Sequence, residues 1–319
     1  MNILKSAKDL FVSPTPHVFV EFSKERLTVV VFERNVRGLA IKEFREKPLG
    51  EGILNASFLS RNVQDAKGLR SILQDAYGTV KRRHNRIGIA LPDSIVKISL
   101  VDLDTVPKSR KDLDSVIRWS IEKSIPFNLD EAQVSYALQK INENQRQRFI
   151  VLTSRREVVL EYERLCESIG LQAGLIVPSS IAVSKLLHTF SAHAKSGDCL
   201  FVNSTIESGS IVILRDENIV YFKTLSSVRT EDLATLVHQT NMYYEDRLNG
   251  KGFDRIFYLG GENDREELEL QKSILFPLVS LSKIIVVTEN EIFQKVPFSK
   301  KALCAASAGM AYGLNNYQA

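Results

Sequence analysis

No stretch of this 319-residue chain approaches the run of about 20 apolar residues that spans a bilayer. The start, MNILKSAKDLF, does not read as a secretory leader. Its apolar part is too short, and no small-residue cleavage site follows. Cysteine is scarce: Cys166, Cys199 and Cys304 are far apart and odd in number. That excludes a disulfide framework and suggests a reducing cytoplasm. No cysteine sits beside a plausible base in a recognisable motif. His17, His84, His188, His193 and His238 show no metal-ligand spacing. A charge excess of one sign is also missing. Lys and Arg number 42 against 38 Asp and Glu, a net +4 that gives no global field for nucleic acid. Glycine is missing from one telling place. HVFVEFSKERLTVVVFE, from residue 17, is two apolar strands around the turn Ser23-Lys24-Glu25-Arg26. A hairpin that cradles phosphate is usually rich in glycine, because backbone N–H groups must come close to the anion.

What is present is an ordinary globular composition, 44% hydrophobic and 25% charged, at a length that suits about two domains. Residues 1–11 place Ile3, Leu4, Ala7, Leu10 and Phe11 on one helical face, either as a docked terminal helix or as a membrane or partner contact. Strands are predicted at 17–22, 27–32 and 39–44, then a helix over 66–80 that ends in the basic run Lys81-Arg82-Arg83-His84. A buried strand at 86–91 stops at Pro92. Residues 94–176 read strand, helix, strand, strand, helix, strand, the split βαβ order. Ser109 and Asp112 start the first of these helices, Pro126 stops it, and Gly170 ends the second.

A helix over 181–190 leads to a second meander at 199–203, 210–214 and 219–223. An offset of 182 carries Phe19 to Phe201, Val20 to Val202, Ser23 to Thr205, Thr28 to Ser210 and Val30 to Val212 without a gap. Two meanders, each followed by helices and a further strand, fit an internal duplication. The second half continues with a helix over 230–248, a strand at 255–259, Gly260-Gly261, a helix over 265–275 and a strand at 283–287. KALCAASAGMAYGL, 301–314, reads as a closely packed helix in which Gly309 permits near approach.

The run IRWSIEKSIPFNLDEAQVSYAL, 117–138, resembles the helix followed by I-P-F-x-L-D-E of the PilM proteins of type IV pilus assembly. Flanking stretches, and YYEDRLNGKGFDRIFYLGGEN further on, extend the resemblance over nearly the whole chain. It implies an α/β fold of the actin-like, duplicated RNase H-like kind, related to the division protein FtsA. There would be two lobes and an inserted split βαβ subdomain. The division expected is a first lobe over 1–93, an insert over 94–177, a return to the first lobe over 178–197 and 301–319, and a second lobe over 198–300. The function implied is a cytoplasmic scaffold at the inner face of the inner membrane, serving pilus assembly and twitching motility. It would bind the cytoplasmic tail of a PilN-like membrane protein and form a ring of copies, with no nucleic acid and only indirect membrane association.

Actin-like proteins hold ATP and magnesium between two hairpins and a glycine turn. Transferred to this chain, the nucleotide-facing positions are Glu21, Ser23, Lys24, Asn203, Ser204, Thr205, Gly260 and Gly261. Several depart from the pattern. Phe22 stands near the expected glycine, and Asn203 and Ser204 replace an acid and its glycine neighbourhood. Loss of a metal-facing carboxylate removes charge where catalysis needs it. The expectation is a pseudo-ATPase with a degenerate site and no catalytic residue. The alternatives are an active ATPase of the same machine, or the cytoplasmic component of a type II secretion platform, where this fold is usually fused to a membrane span. Trp119, Ile125, Pro126 and Phe127 form an apolar cluster, read either as core of the insert or as one wall of a groove for a partner's peptide. Asp130 and Glu131 read as solvated turn residues rather than a catalytic pair.

Overall fold

The computed structural model describes residues 16–35, 38–78, 80, 85–139, 146–190, 197–204, 209–216, 218–225, 230–260, 275, 278, 284–287, 291–294, 296–297 and 300–315. The predicted helices over 1–11 and most of 265–275, and the run 81–84, lie outside them. The described residues begin with an antiparallel meander of β1 (Val18–Phe22), β2 (Arg26–Asn35) and β3 (Gly38–Pro48). Helix α1 (Ala66–Tyr77) follows. Asp65 starts it by accepting the N–H groups of Lys67 and Gly68, and Leu69, Leu73, Ala76 and Tyr77 form its buried stripe. Strand β4 (Arg86–Leu91) pairs parallel to β1.

The insert follows as β5 (Lys97–Leu103), α2 (Arg110–Glu122), β6 (Ala132–Leu138) and β7 (Gln147–Arg155). Its sheet is antiparallel in the order β5-β7-β6 and shares an apolar core with Ile117 and Ile121 of α2. Ser109 accepts the Asp112 N–H at the start of α2, as expected. Helix α3 (Arg156–Glu167) ends at Gly170, whose φ of +80° suits a residue without a Cβ. Strand β8 (Gln172–Pro178) then departs from the split βαβ expectation. It pairs parallel to β4 and completes the sheet β3-β2-β1-β4-β8, while the insert's sheet stops at Arg155. The physical reason is edge protection: without β8 the apolar strand β4 would present an unpaired edge.

Helix α4 (Ser179–Phe190) leads into β9 (Asp198–Ser204), β10 (Gly209–Arg215) and β11 (Asn218–Leu225), then α5 (Thr230–Leu248), β12 (Arg255–Gly260) and β13 (Ile284–Val286). The second sheet runs β11-β10-β9-β12-β13, the same order as the first. The duplication extends to register. Val20 faces Val29 and Glu21 faces Thr28 in the first sheet. The same offset of 182 gives Val202 facing Ile211 and Asn203 facing Ser210 in the second. Helix α6 (Ala305–Asn315) returns to pack on α4, β1 and β4. One apolar core runs from the first sheet through α4 and α6 to Phe201, Val212 and Phe257 of the second sheet. The other face of that sheet packs against Val237 and Tyr244 of α5. Among the described residues, no helix is long and apolar enough to cross a membrane.

Candidate functional site

The two repeated hairpins meet at the junction of the lobes. In the first, the turn closes on itself. Both the Ser23 N–H and the Ser23 hydroxyl donate to the Arg26 carbonyl, at 3.0 and 2.9 Å. Arg26 pairs with Glu46 at 3.2 Å, and Glu46 also meets Lys300. Lys24 is exposed at the tip. Phe22 is among the residues that line the cleft. Its ring is buried, edge-on to Tyr162 of α3 at 5.2 Å, on the sheet face opposite α6. Alternation along β1 puts Glu21 on the α6 side instead. Glu21 accepts the Ser307 N–H at 2.7 Å, in the first turn of α6. A carboxylate there satisfies an orphan donor and opposes the positive helix end. Glu21 therefore holds a helix start.

In the second hairpin, Asn203 is 2% exposed and donates its Nδ2 to the Ser180 hydroxyl at 3.1 Å. Its Oδ1 has no partner among the described residues. Ser180 in turn belongs to a buried group centred on Asp93, on the short 3-10 turn after β4. Asp93 Oδ1 accepts the Ser180 N–H at 2.9 Å; its Oδ2 accepts the hydroxyls of Ser180 at 2.5 Å and Ser210 at 2.7 Å. Burial pushes the Asp93 carboxyl above the ordinary carboxylate range, and these three donors oppose that shift. Nothing in the local pattern of Leu-Pro-Asp-Ser signals this role, because the partners lie 87 and 117 residues away.

Glu21, Ser23, Lys24, Asn203 and Leu259 line a cavity of about 80 Å³ between the hairpins. Gly260 is buried at the end of β12, next to it in the chain. The structure thus brings Glu21, Ser23, Lys24 and Asn203 together. The Ser204 backbone continues β9, while Thr205 and Gly261 lie outside the described residues. Pockets for ligands of drug size span roughly 300–1,000 Å³. Of the expected nucleotide-facing groups, the Ser23 hydroxyl donates to the Arg26 carbonyl, Glu21 accepts the Ser307 N–H, and Asn203 stands where an acid was expected. Among the described residues, no group of three or more His, Cys, Asp or Glu side chains could hold a metal ion.

The apolar cluster of the insert is dispersed. Trp119 is 74% exposed on the outer side of α2. Ile125 is in the insert core, and Phe127 packs on that core and on Phe58 at 5.1 Å. Ile125 and the exposed Pro126 line a hollow of about 520 Å³ beside Asp93 and Thr224. A larger groove of about 940 Å³ lies between α1, α3 and the insert. Its walls include Lys67, Arg70 and Arg164 on the helices and Glu131 and Arg155 on the insert side. Arg155 pairs with Glu131 at 2.6 Å, and Glu161 holds the loop by accepting the N–H groups of Asn62 and Val63. Local sequence pattern missed this groove because its walls come from three separate segments.

A family model described as type IV pilus assembly protein PilM matches residues 20–246. No curated protein matches the chain. Among solved structures, a PilM–PilN type IV pilus biogenesis complex is 19% identical with a TM-score of 0.70, covering 93% of this chain and 99% of that one. A protein of Bacteroides thetaiotaomicron with an actin-like ATPase fold and unknown function is 12% identical with a TM-score of 0.53, covering 92% and 97%. The fold is that of the actin-like ATPases.

Proposed function

The chain belongs to the type IV pilus assembly protein PilM family, and from that premise we propose that it is a non-catalytic cytoplasmic scaffold which binds the tail of a PilN-like inner-membrane protein. The observation that carries the reading is the contrast between two spaces. The interlobe cavity is about 80 Å³ and is knitted by the chain's own hydrogen bonds. The groove between the first lobe and the insert is about 940 Å³ and open to a short peptide. Peptides in such grooves gain affinity from side-chain pockets and main-chain bonds. The likeness to a PilM–PilN complex supports the choice of partner, and the partner would bring the chain to the inner face of the membrane. Ring formation belongs to the same proposal. A second reading, a nucleotide-switched scaffold, has in its favour the actin-like ATPase fold and Glu21 on the cavity wall.

Calorimetry with a synthetic tail of the PilN-like partner tests the first reading. Micromolar binding that weakens on Arg70→Glu is expected; no binding at high micromolar peptide overturns it. Titration and turnover assays with ATP and magnesium separate the second reading. Steady turnover by the purified chain, lost on Glu21→Gln, would establish an enzyme.

A further inference from the structure

We propose that Asp93 is a latch that fastens the two lobes to each other. Its side chain lies on the turn after β4 and is 1% exposed. Two of its three donors come from Ser180, at the start of α4, on the same side of the junction. The third is the Ser210 hydroxyl of β10, in the second sheet, at 2.7 Å, slightly nearer than the Gly209 carbonyl at 2.8 Å. Asn203 of β9 closes the circuit by donating to the Ser180 hydroxyl. That donation occupies the acceptor side of Ser180 and leaves its own proton for Asp93. The turn after β4, α4 and β10 thus meet at one carboxyl group, and β9 joins them through Ser180.

The energetics favour an all-or-none contact. Each of these groups is buried, and a buried polar group is costly unless it has a partner. Parting the lobes would take Ser210 from Asp93 and Asn203 from Ser180 in the same movement. Members of such a network support one another in a low-dielectric interior. The Ser180 N–H is a first-turn donor with no intrahelical partner, the kind of group that binds external anions. Asp93 uses it, so an incoming phosphate would have to displace the latch first. A second polar tie runs elsewhere: the Gln139 amide of the insert exchanges two hydrogen bonds with the Ile219 backbone, at 2.6 and 3.0 Å. It touches neither α4 nor Ser210, so it serves as a control.

The latch deepens the closed-cleft reading and rests on it, but the two can fail separately. Amide hydrogen exchange on the full chain tests it, with Asp93→Asn, Ser210→Ala, their combination, and Gln139→Ala. Ser210→Ala changes only the second lobe. It is expected to speed exchange at the start of α4, in the other lobe, by roughly tenfold, the upper range for losing one hydrogen bond. Asp93→Asn is expected to do the same along β9 and β10, and the combination to give less than the product of the two. Gln139→Ala should leave α4 unchanged. Exchange that rises only in the lobe carrying the substitution, or effects that multiply as independent ones do, overturns the latch. If Asp93→Asn does not fold, Ser210→Ala still decides, because it removes a single hydroxyl. ATP turnover by the unaltered chain would refute the non-catalytic reading while leaving the cross-lobe exchange pattern to stand.

Discussion

Gly309→Ala sets two known effects of opposite sign against each other. Gly309 is buried in α6, facing α4. In an open helix, replacing glycine by alanine stabilises by about 1 kcal/mol. Here the added Cβ would lie 1.9 Å from the Ala182 carbonyl oxygen and 2.4 Å from its carbon. Both atoms are backbone, so no side chain can swing away. Contacts under 3.0 Å essentially never occur, so the helices must part by 3.0 − 1.9, or 1.1 Å. Overpacking of this kind costs about 1–3 kcal/mol, and a gap of about 1 Å forfeits up to half the dispersion energy along the seam. With the combined cost near 3 kcal/mol, about 2 kcal/mol of destabilisation remains after the propensity gain. For a chain of this size that lowers the thermal midpoint by roughly 3 °C. The change should also loosen Glu21 from Ser307, because Ser307 lies two residues before Gly309 on the same helix. Differential scanning calorimetry reads the midpoint, and exchange of the Ser307 amide reads the local effect. A midpoint equal to or above that of the unaltered chain would refute the argument, because helix propensity would then outweigh a contact taken to be tight.

Two further outcomes follow from side chains already placed. Glu21→Ala leaves the Ser307 N–H of α6 without its acceptor and should cost about 1 kcal/mol, as lost helix-start groups usually do; an unchanged denaturation midpoint would show that Glu21 does not hold α6. The cysteines should be inert in the native chain, because the thiolate is the reactive form and their acidities are weakened. Burial pushes Cys166 up to about 12 and Cys199 up to about 11, and it raises Cys304 as well, with Glu21 and Glu46 adding to the effect. A raised thiol pKa means the neutral form prevails at pH 8. A disulfide-exchange reagent should therefore find no fast thiol in the native chain and three in denaturant; one fast native thiol would show that a buried cysteine is accessible.

Much of the architecture could be read from local pattern. The offset of 182 that relates the two meanders in sequence reappears as equivalent strand register in the two sheets. Proline, glycine and capping residues marked several helix ends, Gly170 among them. The misread element was β8. Its apolar run announced a buried strand, and nothing local announced which sheet it would join. Membership of a sheet is settled by which edge needs covering, a property of the assembled fold. Phe22 stands near the expected glycine in sequence, and neighbouring residues of a strand face opposite ways. With Glu21 aimed at α6, the Phe22 ring had to lie on the other side, against Tyr162.

The site was half legible for the same reason. Glu21 and Asn203 could be paired by the repeat, but their partners could not, since each bond spans distant parts of the chain or separate elements. Once those partners are seen, the repeated position acquires one meaning in both lobes. Glu21 engages the start of α6 through the Ser307 N–H, and Asn203 engages the start of α4 through the Ser180 hydroxyl. Helices α4 and α6 pack on each other at the centre of the molecule, with Gly309 at their closest approach. The two residues best placed to face a ligand are therefore spent on the two helix starts that support the junction. A hairpin acid bonded to a helix N–H is not free to orient a hydrated metal without giving up that bond. A nucleotide entering between the hairpins would have to replace several such bonds at once.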